Sequence, residues 1–245
     1  MKAMDDPRLQ LDGLTLDLPS AANTNAGDPR FQQTVNGGRT VFRVLDDITF
    51  TAKSGDRIAL IGRNGAGKTT LLRAIGGIFT PSAGRVVREG RMRILLNPGL
   101  GLEPELTGRA NIRVLGLING LSDREIEAAR ADILDFAQLG EFIDIPVKNY
   151  SAGMRMRLIY AVVTSGVSDI LILDEVIGVG DKAFVSKANE RRAQFMRGAG
   201  ILLVASHAEG IIKQFCNRVL WLDKGRIIED SDDVPGTLAA YSEAS

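Results

Sequence analysis

Hydrophobic residues in this chain keep two rhythms. Leu9, Leu11, Leu14, Leu16 and Leu18 alternate with other side chains at the period of a half-buried strand and predict an edge strand over residues 8–18. Alternation resumes in Thr40-Val41-Phe42-Arg43-Val44-Leu45 and Ile48-Thr49-Phe50, after a stretch from Ser20 to Gly38 rich in Ala, Asn, Gln, Gly and Thr that reads as a loop. Short unbroken apolar runs at Ile58–Ile61, Ile170–Leu173 and Ile201–Ala205 predict strands covered on both faces, as in a parallel sheet. Val219–Leu222 predicts another strand, turned by Asp223-Lys224-Gly225 into Arg226-Ile227-Ile228. The turn Pro81-Ser82-Ala83-Gly84 leads into a strand at Arg85-Val86-Val87.

Helical signals occupy the intervals. A helix from Leu71 stops at Gly76-Gly77, and others are predicted near 111–117, 154–164, 186–197 and 211–217. Ser122-Asp123-Arg124-Glu125 forms a capping box opening a helix that carries Ile126, Ala129, Ile133 and Phe136 on one face and ends at Gly140. Residues 98–148 show helices without strand alternation. The pattern therefore predicts an α/β fold with a mostly parallel sheet, an amino-terminal antiparallel β part, and an α-helical lobe (98–148) inserted into a core built from 1–97 and 149–245.

Chemistry enters at Gly62-Arg63-Asn64-Gly65-Ala66-Gly67-Lys68-Thr69-Thr70, which lies between the strand at 57–61 and the helix from 71. Strand, glycine loop and helix in this order, with Gly62, Gly67, Lys68 and Thr69 at the required spacing, match the phosphate loop of nucleoside triphosphate-binding proteins. Glycines let backbone N–H groups approach an oligophosphate, and the helix aims its positive end at the same anion. Lys68 is expected to reach the β- and γ-phosphates and Thr69 to ligate magnesium. The strand at 170–173 runs into Asp174-Glu175, acids at the carboxyl end of a core strand, where ligands of open α/β sheets bind. Asp174 is the expected second magnesium ligand and Glu175 a candidate general base for attacking water. His207, the single histidine, follows the strand at 201–205, either in reach of a γ-phosphate or in a packing role. Arg155 and Arg157, read as exposed near the start of a helix, oppose its dipole unless an anion or solvent compensates them.

Bulk properties narrow the class. The formal net charge of zero gives no reason to expect a nucleic-acid partner. One cysteine, Cys216, excludes an internal disulfide and suggests packing in a reducing compartment. No apolar run approaches the roughly twenty residues of a membrane helix, and the amino terminus has no signal-peptide core. The final ten residues read as a small, polar tail with no room for a further domain.

The pieces and their order resemble the ATP-binding subunit of an ABC transporter. The matching segments are the phosphate loop at 62–70, the signature-like Tyr150-Ser151-Ala152-Gly153-Met154, the acidic strand end at Asp174-Glu175, Asp181 and Ser206-His207. More narrowly, Leu106-Thr107-Gly108-Arg109-Ala110-Asn111, Tyr150 to Arg155, Asp174-Glu175-Val176 and Val179-Gly180-Asp181 resemble exporters of bacterial surface polysaccharide, of capsule or O-antigen type, in their short form without a carbohydrate-binding domain. Teichoic acid or lipid export and a soluble ABC ATPase are the alternatives; the soluble kinds need a long coiled coil or two fused cassettes, which this chain lacks.

The resemblance implies ATP hydrolysis with magnesium by a head-to-tail homodimer, peripheral on the cytoplasmic face of the inner membrane. The helical lobe would contact an integral membrane permease that carries the polysaccharide. Ser151 and Gly153 would complete the partner's γ-phosphate site, with Asp181 and His207 also at the nucleotide. The sequence departs from the general family's Leu-Ser-Gly-Gly-Gln at Tyr150, Ala152 and Met154. Asn97 stands near the place of the usual glutamine, and Leu18 where an adenine-stacking aromatic is usual, with Phe31 and Phe42 as stand-ins.

Overall fold

The computed structural model describes residues 6–19, 31–33, 40–96, 101–174 and 182–244. In chain order these form β1 (Arg8–Pro19), β2 (Phe31–Gln33), β3 (Thr40–Lys53), β4 (Arg57–Ile61), α1 (Lys68–Ile75), β5 (Ala83–Glu89) and β6 (Met92–Leu95). Then follow α2 (Gly108–Ile118), α3 (Asp123–Ala137), α4 (Ala152–Val163), β7 (Ile170–Asp174), α5 (Lys182–Arg197), β8 (Ile201–Ala205), α6 (Glu209–Phe215), β9 (Arg218–Asp223), β10 (Arg226–Ser231) and α7 (Val234–Ala244). The chain divides into two compact units: Met1–Arg91, Ile172–Glu175 and Gly200–Ser245 form one, Met92–Leu171 and Val176–Ala199 the other.

The first unit holds an antiparallel sheet of order β2-β3-β1-β5 and, in a second sheet, the strand order β10-β9-β4-β8-β7. β4 runs parallel to both β8 and β9, while β10 returns antiparallel to β9. β4 and β8 are buried along Ile58–Ile61 and Ile201–Ala205, which is why their sequences are continuous apolar runs. β1 differs from its expected edge position, because it pairs with β3 on one side and β5 on the other. Its leucines stand at odd positions to Leu11 and at even positions from Leu14, and the pairing register shifts between those two residues. A bulge at Asp12-Gly13 thus keeps Leu9, Leu11, Leu14 and Leu16 all buried. β2 forms inside the stretch expected to be loop, and β6 was not signalled by the pattern.

The carboxyl-terminal segment is also a correction. Val234–Ala244 is a helix rather than a polar tail, with Asp233 accepting from Gly236 N (3.1 Å) at its start and Pro235 in its first turn. Val234 and Leu238 join Ala59, Ile61, Ile212 and Val219 in one apolar cluster, and Tyr241 meets Trp221 edge-on at 5.3 Å. Cys216 packs against the same cluster, and burial pushes its thiol up to about 12, so its role is packing.

In the second unit α2, α3 and α4 pack through Ile112, Leu115, Ile126, Ile133, Phe136, Leu158 and Tyr160. The capping box is formed: Ser122 N donates to Glu125 Oε2 at 2.9 Å and Glu125 N to Ser122 Oγ at 3.3 Å. α5 joins this unit, with Phe184 edge-on to Phe136 at 5.1 Å and the Tyr160 hydroxyl donating to Ala188 O at 3.0 Å. Asn111, fully buried on α2, pins the preceding loop: it accepts from Glu103 N at 2.7 Å and donates to the carbonyls of Glu103, Leu106 and Thr107 at 2.9, 3.2 and 3.0 Å.

Removing these bonds strands buried polar backbone, so Asn111→Ala is expected to cost about 2–3 kcal/mol. Asn111→Asp should do no better, because a carboxylate keeps the acceptor and loses the donors to three carbonyls. Chemical denaturation of the two variants measures both.

Candidate functional site

β4 delivers the chain into Gly62, where backbone geometry decides what can follow. Gly62 has φ 145°, and a Cβ there would lie 2.2 Å from the Leu222 carbonyl oxygen of β9. Gly67 has φ 105°, and its Cβ would lie 3.1 Å from Leu45 Cδ2 and 3.2 Å from Val44 O of β3. Only glycine suits both places. Between them Ala66 N donates to Arg63 O at 3.1 Å, and Lys68 folds its ammonium over the loop, donating to Gly62 O at 2.5 Å and Arg63 O at 3.2 Å.

α1 starts at Lys68 with Gly67 as an N-cap that offers no side-chain bond, and its first turn carries no acid. Its other end is answered within the protein: Arg88 donates to Ala74 O at 2.9 Å and to Ile75 O, and Arg73 sits in the last turn. The negative end of the helix dipole is therefore compensated while the positive end opens onto the glycine loop, an arrangement that favours an anion.

A support that the sequence did not signal is Gly225. Its N–H donates to Ala66 O at 2.9 Å and its carbonyl accepts from Asp46 N at 2.9 Å, so one residue bridges the loop to β3. A Cβ at Gly225 would stand 2.3 Å from Val44 O. Lys224 and Gly225 have φ 45° and 83°, as a two-residue hairpin between β9 and β10 requires. The Asp46 carboxylate accepts in turn from Arg226 Nε at 2.8 Å. The hairpin was legible in Asp223-Lys224-Gly225; its grip on the loop was not.

The remaining predicted positions sort as follows. Thr69 and Thr70 lie in the first turn of α1 and are half-buried. Leu60 of β4 is level with Ala205 of β8, so Ser206-His207 leave their strand beside the start of the glycine loop. Ser206 is buried with its Oγ accepting from Ala208 N at 3.1 Å, and His207 is exposed. Asp174 ends β7, the strand next to β8, and is half-buried. Arg63, Asn64 and Gly65 are exposed on the loop. Glu175, Asp181 and Asn97 lie outside the described residues. Leu18 and Phe31 both take Phe42 as their cross-strand partner, so the three positions considered for adenine stacking share one level of the antiparallel sheet.

Ser151 and Gly153 belong to the second unit. Ser151 caps α4, its Oγ accepting from Met154 N at 3.1 Å, and is itself exposed; the first turn of α4 carries no acid. Tyr150 is buried, its hydroxyl donating to Phe142 O at 2.6 Å, and burial raises the phenol above its usual range. The arginines after it are not the exposed pair expected from the sequence: both are half-buried. Arg155 donates to Tyr150 O at 2.7 Å, and the Arg157 guanidinium lies over the Phe184 ring at 5.0 Å. A carbonyl and an aromatic face, rather than solvent, offset their position near a helix start.

A glycine loop feeding a helix with no acid in its first turn has the geometry that a phosphate group requires. Residues 45–178 match the family model described as ABC transporter, and the chain belongs to this family. It is 44% identical over 190 residues to the O-antigen export system ATP-binding protein RfbE of Yersinia enterocolitica, covering 78% of this chain and 80% of that protein. It is 44% identical over 188 residues to the ABC transporter protein AbcA of Aeromonas salmonicida, 77% of this chain and 61% of that one. An O-antigen export system ATP-binding protein RfbB of Klebsiella pneumoniae is 40% identical over 188 residues, 77% and 76% respectively. Among solved structures, the ATP-binding subunit of an ABC transporter superposes with TM-score 0.67 at 23% identity, covering 94% of this chain and 93% of that one. A dimeric post-hydrolysis state of the cassette MJ0796 bound to ADP and Pi superposes with TM-score 0.64 at 17% identity, covering 91% and 97%. These two show the fold. Among the described residues no helix is long and apolar enough to cross a membrane.

Gly225→Ala is expected to weaken nucleotide binding more than tenfold, because its methyl group collides with the Val44 carbonyl and pushes the strut off Ala66. Gly55→Ala is the control: φ is +92° but nothing lies within 4 Å of the added Cβ, so it carries only the backbone strain of about 1 kcal/mol and binds normally. Titration with a fluorescent ATP analogue compares the two.

Proposed function

We propose that this chain is the ATP-hydrolysing subunit of an ABC transporter that exports an O-antigen-type cell-surface polysaccharide across the cytoplasmic membrane. The observation that carries the ATPase half is the glycine loop closed by Gly225 and fed by an uncompensated helix end. The polysaccharide half is supported by relatives named for O-antigen export at 40–44% identity. A second reading, teichoic acid export, has behind it the teichoic acids export ATP-binding protein TagH of Lactococcus lactis, 39% identical over 186 residues, of which this chain spans 40%.

In this reading Gly62 to Thr70 wrap the phosphates, and Lys68 transfers its ammonium from the loop carbonyls to the β- and γ-oxygens, where charge-assisted bonds are stronger. Thr69 and Asp174 are hard oxygen donors suited to magnesium, which when bound neutralises phosphate charge. Glu175 orients or deprotonates the attacking water, and His207 holds the γ-phosphate. Two copies pair head to tail, each completing the other's site with Ser151 and Gly153, and Asp181 lies at the same interface. The Ser151 hydroxyl suits this role: it accepts from Met154 N, leaving its one proton to donate outward to a phosphate oxygen. The helical lobe, residues 98–148, passes closure to an integral membrane permease, and the subunit works on the cytoplasmic face.

Glu175→Gln is expected to keep ATP affinity and nearly abolish turnover; normal hydrolysis by that variant removes Glu175 from the mechanism. His207→Ala should slow hydrolysis by about a hundredfold while changing affinity little. Steady-state phosphate release alongside nucleotide titration separates the two effects, and unchanged turnover returns His207 to a packing role.

A further inference from the structure

We propose that Tyr150 is a positioning residue for Ser151: a hydroxyl clasp to Phe142, for which Gly108 leaves the room, holds the serine tip of α4 at the angle that meets the partner's phosphate. The proposal rests on the reading of Ser151 given above.

Tyr150 is fastened at every polar atom. Its N–H donates to Val147 O at 2.9 Å, its carbonyl accepts from Arg155 Nη1 at 2.7 Å, and its hydroxyl donates to Phe142 O at 2.6 Å. The Phe142 carbonyl also accepts from Ile145 N at 3.2 Å, so both of its lone pairs are engaged and the turn at Gly140–Asp144 is tied to the same point. That turn is held from α2 as well, where Arg109 grips Asp144 through bonds of 2.7 and 3.0 Å.

The hydroxyl also dictates a second position. A Cβ at Gly108, the first residue of α2, would lie 2.1 Å from Tyr150 Oη and 3.1 Å from Cζ, with Ile143 Cδ1 at 3.0 Å. Gly108 is helical, so no unusual φ demands glycine there; the phenol does. The glycine in Leu106-Thr107-Gly108 and the tyrosine in Tyr150-Ser151 are therefore one feature read at two places in the sequence.

The consequence falls on the next residue. Ser151 is an exposed N-cap whose backbone direction is inherited from Tyr150 and whose Oγ is aimed by Met154 N. A leucine at position 150 would supply apolar packing without the bond to Phe142, leaving the tip less strongly tied to the lobe. Misplacing a donor by a fraction of an ångström weakens what it does in a transition state more than what it does for ground-state binding.

The test is a double-mutant cycle in the full chain, read as turnover at saturating ATP with thermal midpoint and nucleotide affinity followed in parallel. Tyr150→Phe should lower kcat about three- to tenfold, the worth of one hydrogen bond, with KM within twofold and little change in midpoint. Ser151→Ala should lower kcat further, and Tyr150→Phe combined with Ser151→Ala should match Ser151→Ala alone within twofold, since a positioning group has nothing left to position. Additive losses in the double variant, or unchanged turnover in Tyr150→Phe, overturn the proposal while leaving the role of Ser151 standing. Unchanged turnover in Ser151→Ala overturns the underlying reading itself. The steric half is tested separately: Gly108→Ala should depress folding yield and turnover, and adding Tyr150→Leu should recover folding. Absence of that recovery overturns the pairing of the two positions.

Discussion

The glycine loop after β4 exists only because two other pieces of backbone press against it. Leu222 O of β9 excludes a side chain at Gly62, Val44 and Leu45 of β3 exclude one at Gly67, and the Gly225 backbone is bonded to Ala66 through its N–H and to Asp46 through its carbonyl. The loop is thus braced by the hairpin of one sheet and by a strand of the other. A phosphate-binding loop must present its N–H groups without rearranging when charge arrives, because reorganisation would offset the gain from binding. The bracing explains how eight residues of helix and a few glycines hold that geometry.

Helix ends carry the electrostatics. α1 has Arg88 and Arg73 at its carboxyl end and no acid in its own first turn. α4 repeats the theme with a serine cap, no acid in its first turn, and an arginine that is satisfied by the Tyr150 carbonyl rather than by a carboxylate. An acid at either tip would have offset the partial positive charge that these helix ends present. The zero net charge of the whole chain hides this local organisation, since attraction for an anion here comes from oriented peptides and single cations rather than from an excess of basic residues.

The helical unit reaches rigidity by another route. Buried polar pins do the fastening: Asn111 gathers four backbone groups, the Tyr150 hydroxyl holds the turn at Phe142, and Tyr160 ties α4 to α5. Each pin is hydrogen-bonded, and for that reason burying it strengthens the fold instead of weakening it.

What the sequence by itself determined were features whose partners lie within one element or one turn of it. The glycine loop, the Ser122–Glu125 capping box, the buried runs of β4, β7 and β8, and the hairpin at Lys224-Gly225 all depend on spacings of a few residues, and the α/β class follows from their order. Tertiary structure alone decided matters that depend on which strand or side chain arrives from far away. β1 is central because β5 pairs with its free edge, and α7 is a helix because an apolar cluster on β4, β9 and α6 gives Val234 and Leu238 somewhere to go. Gly108 and Gly225 look like any other glycines until Tyr150 and Val44 stand over them. Local patterns record the energetics of neighbours along the chain, whereas close approach through space is set by packing of the whole, and no spacing in the sequence encodes it.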